Sequence, residues 1–164
     1  MIQTRWACEA DAPRLAEIRC AAWTSTYAGV IPGLALSRMA SAHDPAWWRS
    51  RIRSGRTALV IELDGRLLGY AWLGPWRGET KQAAGEIYEL YLDPSAQGTG
   101  LGRRLFDAAR AQLRRAGLGH LLVRALAENE SGCRFYRAVG GRVIGQARTL
   151  VGGRACEEIL FSWE

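Results

Sequence analysis

The stretch that most constrains this chain is Leu90-Tyr91-Leu92-Asp93-Pro94-Ser95-Ala96-Gln97-Gly98-Thr99-Gly100-Leu101-Gly102-Arg103, where an apolar strand pattern passes through three glycines into a helix pattern. Such a junction needs a sheet to hold the strand and a sheet face to receive the helix, which selects an α/β architecture. Glycine has no Cβ, so the backbone can approach a bound group closely. A helix start offers unpaired N–H groups and the positive end of the helix dipole. Together these predict an anion cradle of the kind that holds phosphate or pyrophosphate.

Three patterns compete for that cradle. A triphosphate-binding loop ends in Gly-Lys-Ser/Thr, but the single lysine, Lys81, lies upstream of the strand. A dinucleotide fingerprint reads G-x-G-x-x-G with an acidic residue about 20 positions on. Gly98-Thr99-Gly100 fits its start and Glu128 follows a second strand, but Arg103 stands where the third glycine belongs and too few residues follow Glu128. The third pattern is Q/R-x-x-G-x-G/A, and Gln97-Gly98-Thr99-Gly100-Leu101-Gly102 matches every defined position.

Periodicity and turn signals predict the element order β-α-α-α-β-β-β-α-β-α-β-β. Strands are expected at 2–6, 57–63, 66–73, 83–92, 119–126, 142–151 and 155–163. Asp64-Gly65 and Gly152-Gly153 are the turns of two hairpins. Helices are expected from Asp11 as cap to Trp23, with Leu15, Ile18 and Ala22 on one face, and at 34–40. Three more are expected: 45–53 capped by Asp44, 102–116 with Leu105, Ala109, Leu113 and Ala116 inward, and 129–139. The runs 24–33 and 74–78 read as loops. The fold expected is mixed α/β (α+β), a mostly antiparallel sheet of about seven strands with four to five helices, and 1–164 as a single domain.

Composition narrows the function classes. The 164 residues are 48% hydrophobic, enough for a sizeable core. No apolar run approaches a membrane span, and the N-terminus lacks a signal-peptide core. Cys8, Cys20, Cys133 and Cys156 have no metal spacing and read as reduced thiols in a cytoplasmic protein. Cys133 lies near the expected site, and packing is its favoured role. The net charge of +6 raises a nucleic-acid partner. The arginines are scattered, however, which argues for solvated faces and against nucleic acid. Arg103, Arg104, Arg110, Arg114 and Arg115 do share one helix, whose opening residues would help hold an anion. His43 and His120 read as isolated surface residues, and no metal cluster is expected.

A second motif follows the cradle. Asn129-Glu130-Ser131-Gly132-Cys133-Arg134-Phe135-Tyr136-Arg137-Ala138-Val139-Gly140 resembles N-x-x-A-x-x-F-Y-x-x-x-G-F of the GNAT superfamily of acyl-CoA N-acyltransferases, and the Gln97–Gly102 stretch is that superfamily's pyrophosphate motif. Gly132 replaces the usual alanine. Gly141 replaces the usual phenylalanine, which predicts a lost core aromatic and local flexibility.

The resemblance implies an N-acetyltransferase that moves acetyl from acetyl-CoA directly to a primary amine, more readily of a small molecule than of a protein. A noncatalytic acyl-CoA sensor is the alternative, and ping-pong transfer through Cys133 a minor one. Acyl-CoA would enter a gap between the strands ending near Leu92 and Leu126, with its pantetheine arm beside Leu90, Tyr91 and Leu92. Gln97, Gly98, Thr99, Gly100, Leu101, Gly102 and Arg103 would hold the pyrophosphate, and Asn129 the arm or its loop. Tyr136 would act as acid to the thiolate. Glu86 or Glu89 would be the base. Residues three apart on a strand face opposite ways, so at most one should line the site unless a bulge intervenes; Glu86 is favoured. The acceptor would meet Trp23, Thr26, Tyr27, Val30 and Ile31, with Glu89, Trp72 and Trp76 in support. A homodimer through the sheet edge or last strands is the family expectation.

Overall fold

Asp64 and Gly65 both take positive φ, 51° and 80°, so the expected two-residue turn joins β2 (Ala58–Leu63) to β3 (Arg66–Pro75). Gly152 and Gly153, at 58° and 79°, do the same for β6 (Arg142–Val151) and β7 (Arg154–Trp163). With β1 (Ile2–Trp6), β4 (Ala84–Leu92) and β5 (His120–Leu126) these form one seven-stranded sheet in a computed structural model that describes residues 1–79 and 82–164. Lys81 lies outside the described residues. The strand order is β1-β2-β3-β4-β5-β7-β6, and among the described residues only the β4–β5 pair is parallel. The mixed, mostly antiparallel sheet expected from the sequence is the one found.

Helices α1 (Ala12–Tyr27), α2 (Gly33–Ser41) and α3 (Pro45–Arg53) precede the β2–β3 hairpin, and α4 (Leu101–Arg115) and α5 (Glu130–Ala138) flank β5 in sequence. Leu15 and Ile18 of α1 and Trp48 of α3 pack on Val60 and Tyr70. On the other face Leu105, Phe106, Ala109 and Leu113 of α4 pack on Ile61, Ile87 and Val123. Each of the Leu, Ile, Val and Phe side chains among them contributes about 1.5–3 kcal/mol by leaving water. Ala116 is exposed, one residue beyond the end of α4, and not inward as expected.

Three further expectations need correcting. Helix α1 runs through 24–27, read as loop, because Tyr27 is buried and the helix continues to seat it. β3 extends to Pro75, into the loop expected at 74–78. Asp11 stands at the N-cap position of α1 without capping it: its carboxylate accepts from the Cys8 N–H at 2.8 Å and pairs with Arg5 at 2.8 Å. Asp44 does cap α3, accepting from the Trp47 N–H at 2.8 Å.

Candidate active site

β4 and β5 hydrogen-bond only at their beginnings, where Ala84, Gly85 and Glu86 pair with His120, Leu121 and Leu122. From there each strand follows its other neighbour, β4 staying on β3 to Leu92 and β5 on β7 to Leu126. The pair therefore opens as a fork. Its backbone edges face a cleft of about 660 Å³, lined on one side by Leu90, Tyr91 and Leu92 and on the other by Ala125 and Leu126. That volume lies within the range of small-molecule and cofactor sites.

The cleft runs to the start of α4. Gly98 and Gly100 hold φ of 74° and 83°, and an added Cβ would meet nothing within 4 Å at either. Glycine is needed there for the left-handed backbone and not for protein packing. Gly100 caps α4 without a side chain, so the first N–H groups of the helix stay available. Gln97, Gly98, Gly100, Gly102 and Arg103 line the cleft. Thr99 and Leu101 do not: the Thr99 hydroxyl turns back to the Ala96 carbonyl, and Leu101 is buried in the core. Their contribution to any cradle is backbone only. The approach is fixed by Asp93, whose carboxylate accepts from the N–H and hydroxyl of Ser95 at 2.9 and 2.6 Å and pairs with Arg14. Those donors, Ser95 first, hold its pKa at about 2.

Helix α5 closes the other wall. Asn129 caps it, accepting from the Gly132 N–H at 3.0 Å. A Cβ at Gly132 would fall within 2.9 Å of three Asn129 side-chain atoms, so glycine lets the amide fold over the helix start. Arg103 donates to the Ala138 carbonyl at 3.1 Å, tying α4 to the end of α5. Tyr136 lines the cleft, with its ring against Phe161 and Trp163. Burial pushes its phenol up, and Tyr27, Cys133 and Glu89 add to the shift. Cys133 does not line the cleft; its thiol donates to the Leu126 carbonyl at 3.6 Å, and burial raises its pKa. Both facts fit packing rather than nucleophilic work. The aromatic missing at Gly141 is supplied by Trp163: a Cβ at 141 would lie 2.5 Å from the indole, which donates to the Val139 carbonyl at 3.0 Å. The space of the expected lost aromatic is thus filled by the indole.

The two glutamates are brought to the same face by a bulge. Gly74 pairs with Glu86 and Leu73 with Ile87, but Trp72 pairs with Glu89, leaving Tyr88 as the extra residue. The bulge foreseen as the exception is present, and both residues line the cleft. Glu86 is 1% exposed and held by Arg77, through Nη2 at 3.0 Å, Nε at 3.3 Å and the backbone N–H at 3.1 Å. Glu89 accepts from Arg19 Nε at 2.8 Å and from the Tyr70 hydroxyl at 3.1 Å. His43 Nδ1 lies 3.6 Å from its Oε1. Burial alone would raise the Glu89 pKa; His43 and Arg19 outweigh it and hold the carboxylate below its ordinary value.

Of the expected acceptor residues, Trp23, Thr26 and Tyr27 line the cleft. Val30 and Ile31 do not; Ile31 is buried in the core that joins α2 to the β6–β7 turn. Trp72 packs with Trp47 and Tyr70, and Trp76 lies beneath Arg124 at 4.3 Å, so neither lines it. His43 is not isolated but stacked on Trp47 at 3.7 Å, and His120 meets the Ser162 hydroxyl at 3.0 Å. Sequence reasoning missed Arg19, His43, Arg77 and Arg124. Arg19 carried a signal, because it falls on the apolar stripe of Leu15, Ile18 and Ala22, where a charge needs a buried partner.

Comparison with known proteins fits this geometry. The family model described as Acetyltransferase (GNAT) family matches residues 14–141. Mycothiol acetyltransferase from Geodermatophilus obscurus is 43% identical over 77 residues, 46% of this chain and 25% of that protein. L-methionine sulfoximine/L-methionine sulfone acetyltransferase from Salmonella typhimurium is 32% identical over 102 residues, 62% of this chain and 59% of that protein. The chain thus spans a quarter to about three fifths of these relatives. The crystal structure of PaiA N-acetyltransferase from Thermoplasma acidophilum in complex with coenzyme A superimposes with a TM-score of 0.79 at 20% identity, covering 99% of each chain, which establishes the fold. The matched residues run from within α1, through the fork and the cradle, to the end of the second motif, and the chain belongs to the Acetyltransferase (GNAT) family.

Proposed function

We propose that this chain, acting as one domain, is an N-acetyltransferase that moves the acetyl group of acetyl-CoA directly to the primary amine of a small molecule. The observation that carries this reading is the β4–β5 fork that leads to the glycine cradle at the start of α4. Acetyl-CoA supplies the activated acyl group. The free backbone edge at Leu90, Tyr91 and Leu92 receives its pantetheine arm like an added strand. The N–H groups from Gly98 to Arg103 receive the pyrophosphate, with the Arg103 guanidinium nearby. Tyr136 keeps its proton, because its raised phenol is a weaker acid than a thiol of ordinary pKa about 8.5. Its role is therefore to donate a hydrogen bond to the departing thiolate.

Glu89 is the base in this reading. It lines the cleft together with Tyr136, whereas the Glu86 carboxylate already accepts three hydrogen bonds from Arg77. Glu86 fixes Arg77 at the acceptor end. Arg124 also lines that end and forms no ion pair among the described residues. Two guanidiniums lining the same cleft as Trp23 and Tyr27 favour an acceptor that carries a carboxylate as well as an amine. The Salmonella relative, whose name gives an amino-acid derivative, agrees with that class. Free cysteines suit a cytoplasmic location. The open edge of β6 is the place for a homodimer contact.

The test is thiol release from acetyl-CoA with a panel of amino acids and simple amines. Turnover of an amino acid, lowered on the order of 100-fold in Tyr136→Phe with acetyl-CoA affinity retained, is the expected result. Acetyl-CoA binding with no acceptor turnover would favour the sensor. Turnover of peptides alone would favour a protein acetyltransferase.

A further inference from the structure

Acetyl transfer to an ammonium must dispose of two protons besides making the amide. One passes from the nitrogen of the adduct to the departing sulfur, and the other has to leave the buried carboxylate that takes it. Three side chains stand against Glu89 among the described residues, and they differ in what they can do with a proton. Arg19 is a permanent cation and cannot accept one. Tyr70 is fully buried, so its hydroxyl leads nowhere. His43 can accept a proton and also reach water. Its Nδ1 is buried with no hydrogen-bond partner, while 20% of the side chain stays exposed. The ring therefore spans from the buried carboxylate to solvent.

We propose that His43 is the proton exit of the site, a positioning residue that acts through Glu89. The inference rests on the acetyltransferase reading above. The nitrogen of the attacking amine gives its proton to Glu89. Glu89 passes it from Oε1 to His43 Nδ1, and the ring releases the proton on its other nitrogen to water; this leaves the Nδ1–H tautomer, and tautomer exchange through water precedes the next turnover. The ring is held for this by Trp47, stacked at 3.7 Å and 4° between planes, with Trp72 and Trp48 edge-on. The charges that bear on it are Glu89 of β4, Arg19 of α1 behind that carboxylate, Arg51 of α3 across the Trp47 ring at 5.0 Å, and Arg77 across Trp72 at 5.9 Å. Asp44, the next residue, is occupied at the Trp47 N–H.

His43→Phe keeps an aromatic ring for the stack and removes the relay. Steady-state kinetics with the best acceptor, from about pH 6 to about pH 9, should show kcat lowered about 10- to 100-fold with KM for acetyl-CoA within about twofold. The acidic limb of the native pH profile, where a proton acceptor becomes filled, should move in this variant. His43→Ala should regain turnover on addition of imidazole. Native kcat and an unmoved pH profile in His43→Phe would overturn the proposal. So would an equal loss of kcat and acetyl-CoA affinity without imidazole rescue, which marks a packing role. Failure of the native chain to acetylate any amine would instead overturn the acetyltransferase reading.

Discussion

Removing the Arg19 side-chain charge gives a sharp test of how the site is held. In Arg19→Met the Glu89 carboxylate, 9% exposed, loses its closest cation at 2.8 Å. The Met39 and Ala40 carbonyls at the end of α2 lose the guanidinium that bonds them. A buried charge stripped of its partner costs about 3–5 kcal/mol. At this chain length that is a fall in Tm of roughly 6–20 °C. Arg53→Met is the control: its pair with Glu9 has side chains 68% and 47% exposed, and such surface pairs contribute about 0–1 kcal/mol.

The assay is urea unfolding of Arg19→Met, Glu89→Leu and the double variant at about pH 7.5 and about pH 5. The double variant should be more stable than the sum of the single losses predicts, because no orphan charge remains. The sign with pH also follows. In the native chain Glu89 titrates below its ordinary value, so its contribution is present above the unfolded pKa and is lost as pH falls through the folded one. In Arg19→Met the buried carboxylate loses that cation, its pKa rises, and the deficit narrows as pH drops. A loss under about 1 kcal/mol, or single losses that simply add, would refute the picture of a buried pair holding the cleft wall.

Two further outcomes are expected. Asp93, held at about 2 against 3.8, contributes stability that is present above about pH 4 and lost as pH falls toward 2; the acid unfolding curve of Asp93→Asn should lack that part of the slope. Gly141→Phe, which restores the family's usual residue, should destabilise by about 1–3 kcal/mol in thermal unfolding, because the Trp163 indole already fills the space. A neutral or stabilising effect would mean that the indole moves aside freely.

What was legible in the sequence was local. Asp64-Gly65 needs two positive φ values in adjacent residues, and Asp44 needs only the N–H three positions on, so both features were readable from a few letters. The cradle and second motif likewise specify their own backbone, and they located the fork correctly. The errors come from partners distant in sequence. Asp11 looks like a cap until Arg5 and the Cys8 N–H claim its carboxylate. The run 24–27 is polar enough for a loop until burial of Tyr27 extends the helix. The bulge at Tyr88 adds one residue opposite β3 and leaves no trace in the strand pattern, yet it decides that Glu86 and Glu89 share a face. His43 looked isolated because Glu89 follows 46 residues later in the chain.

The central claim is that the fork and glycine cradle bind acetyl-CoA. Thermal unfolding of the native chain with and without acetyl-CoA, with NAD and ATP as controls, tests it most directly. Ligand at about 100 times its dissociation constant should stabilise by about 2.7 kcal/mol, a rise in Tm of roughly 5–11 °C. The rise should vanish in Gly100→Val, where the left-handed φ of 83° excludes a branched side chain. No rise with acetyl-CoA, or an equal rise with NAD, would contradict the account.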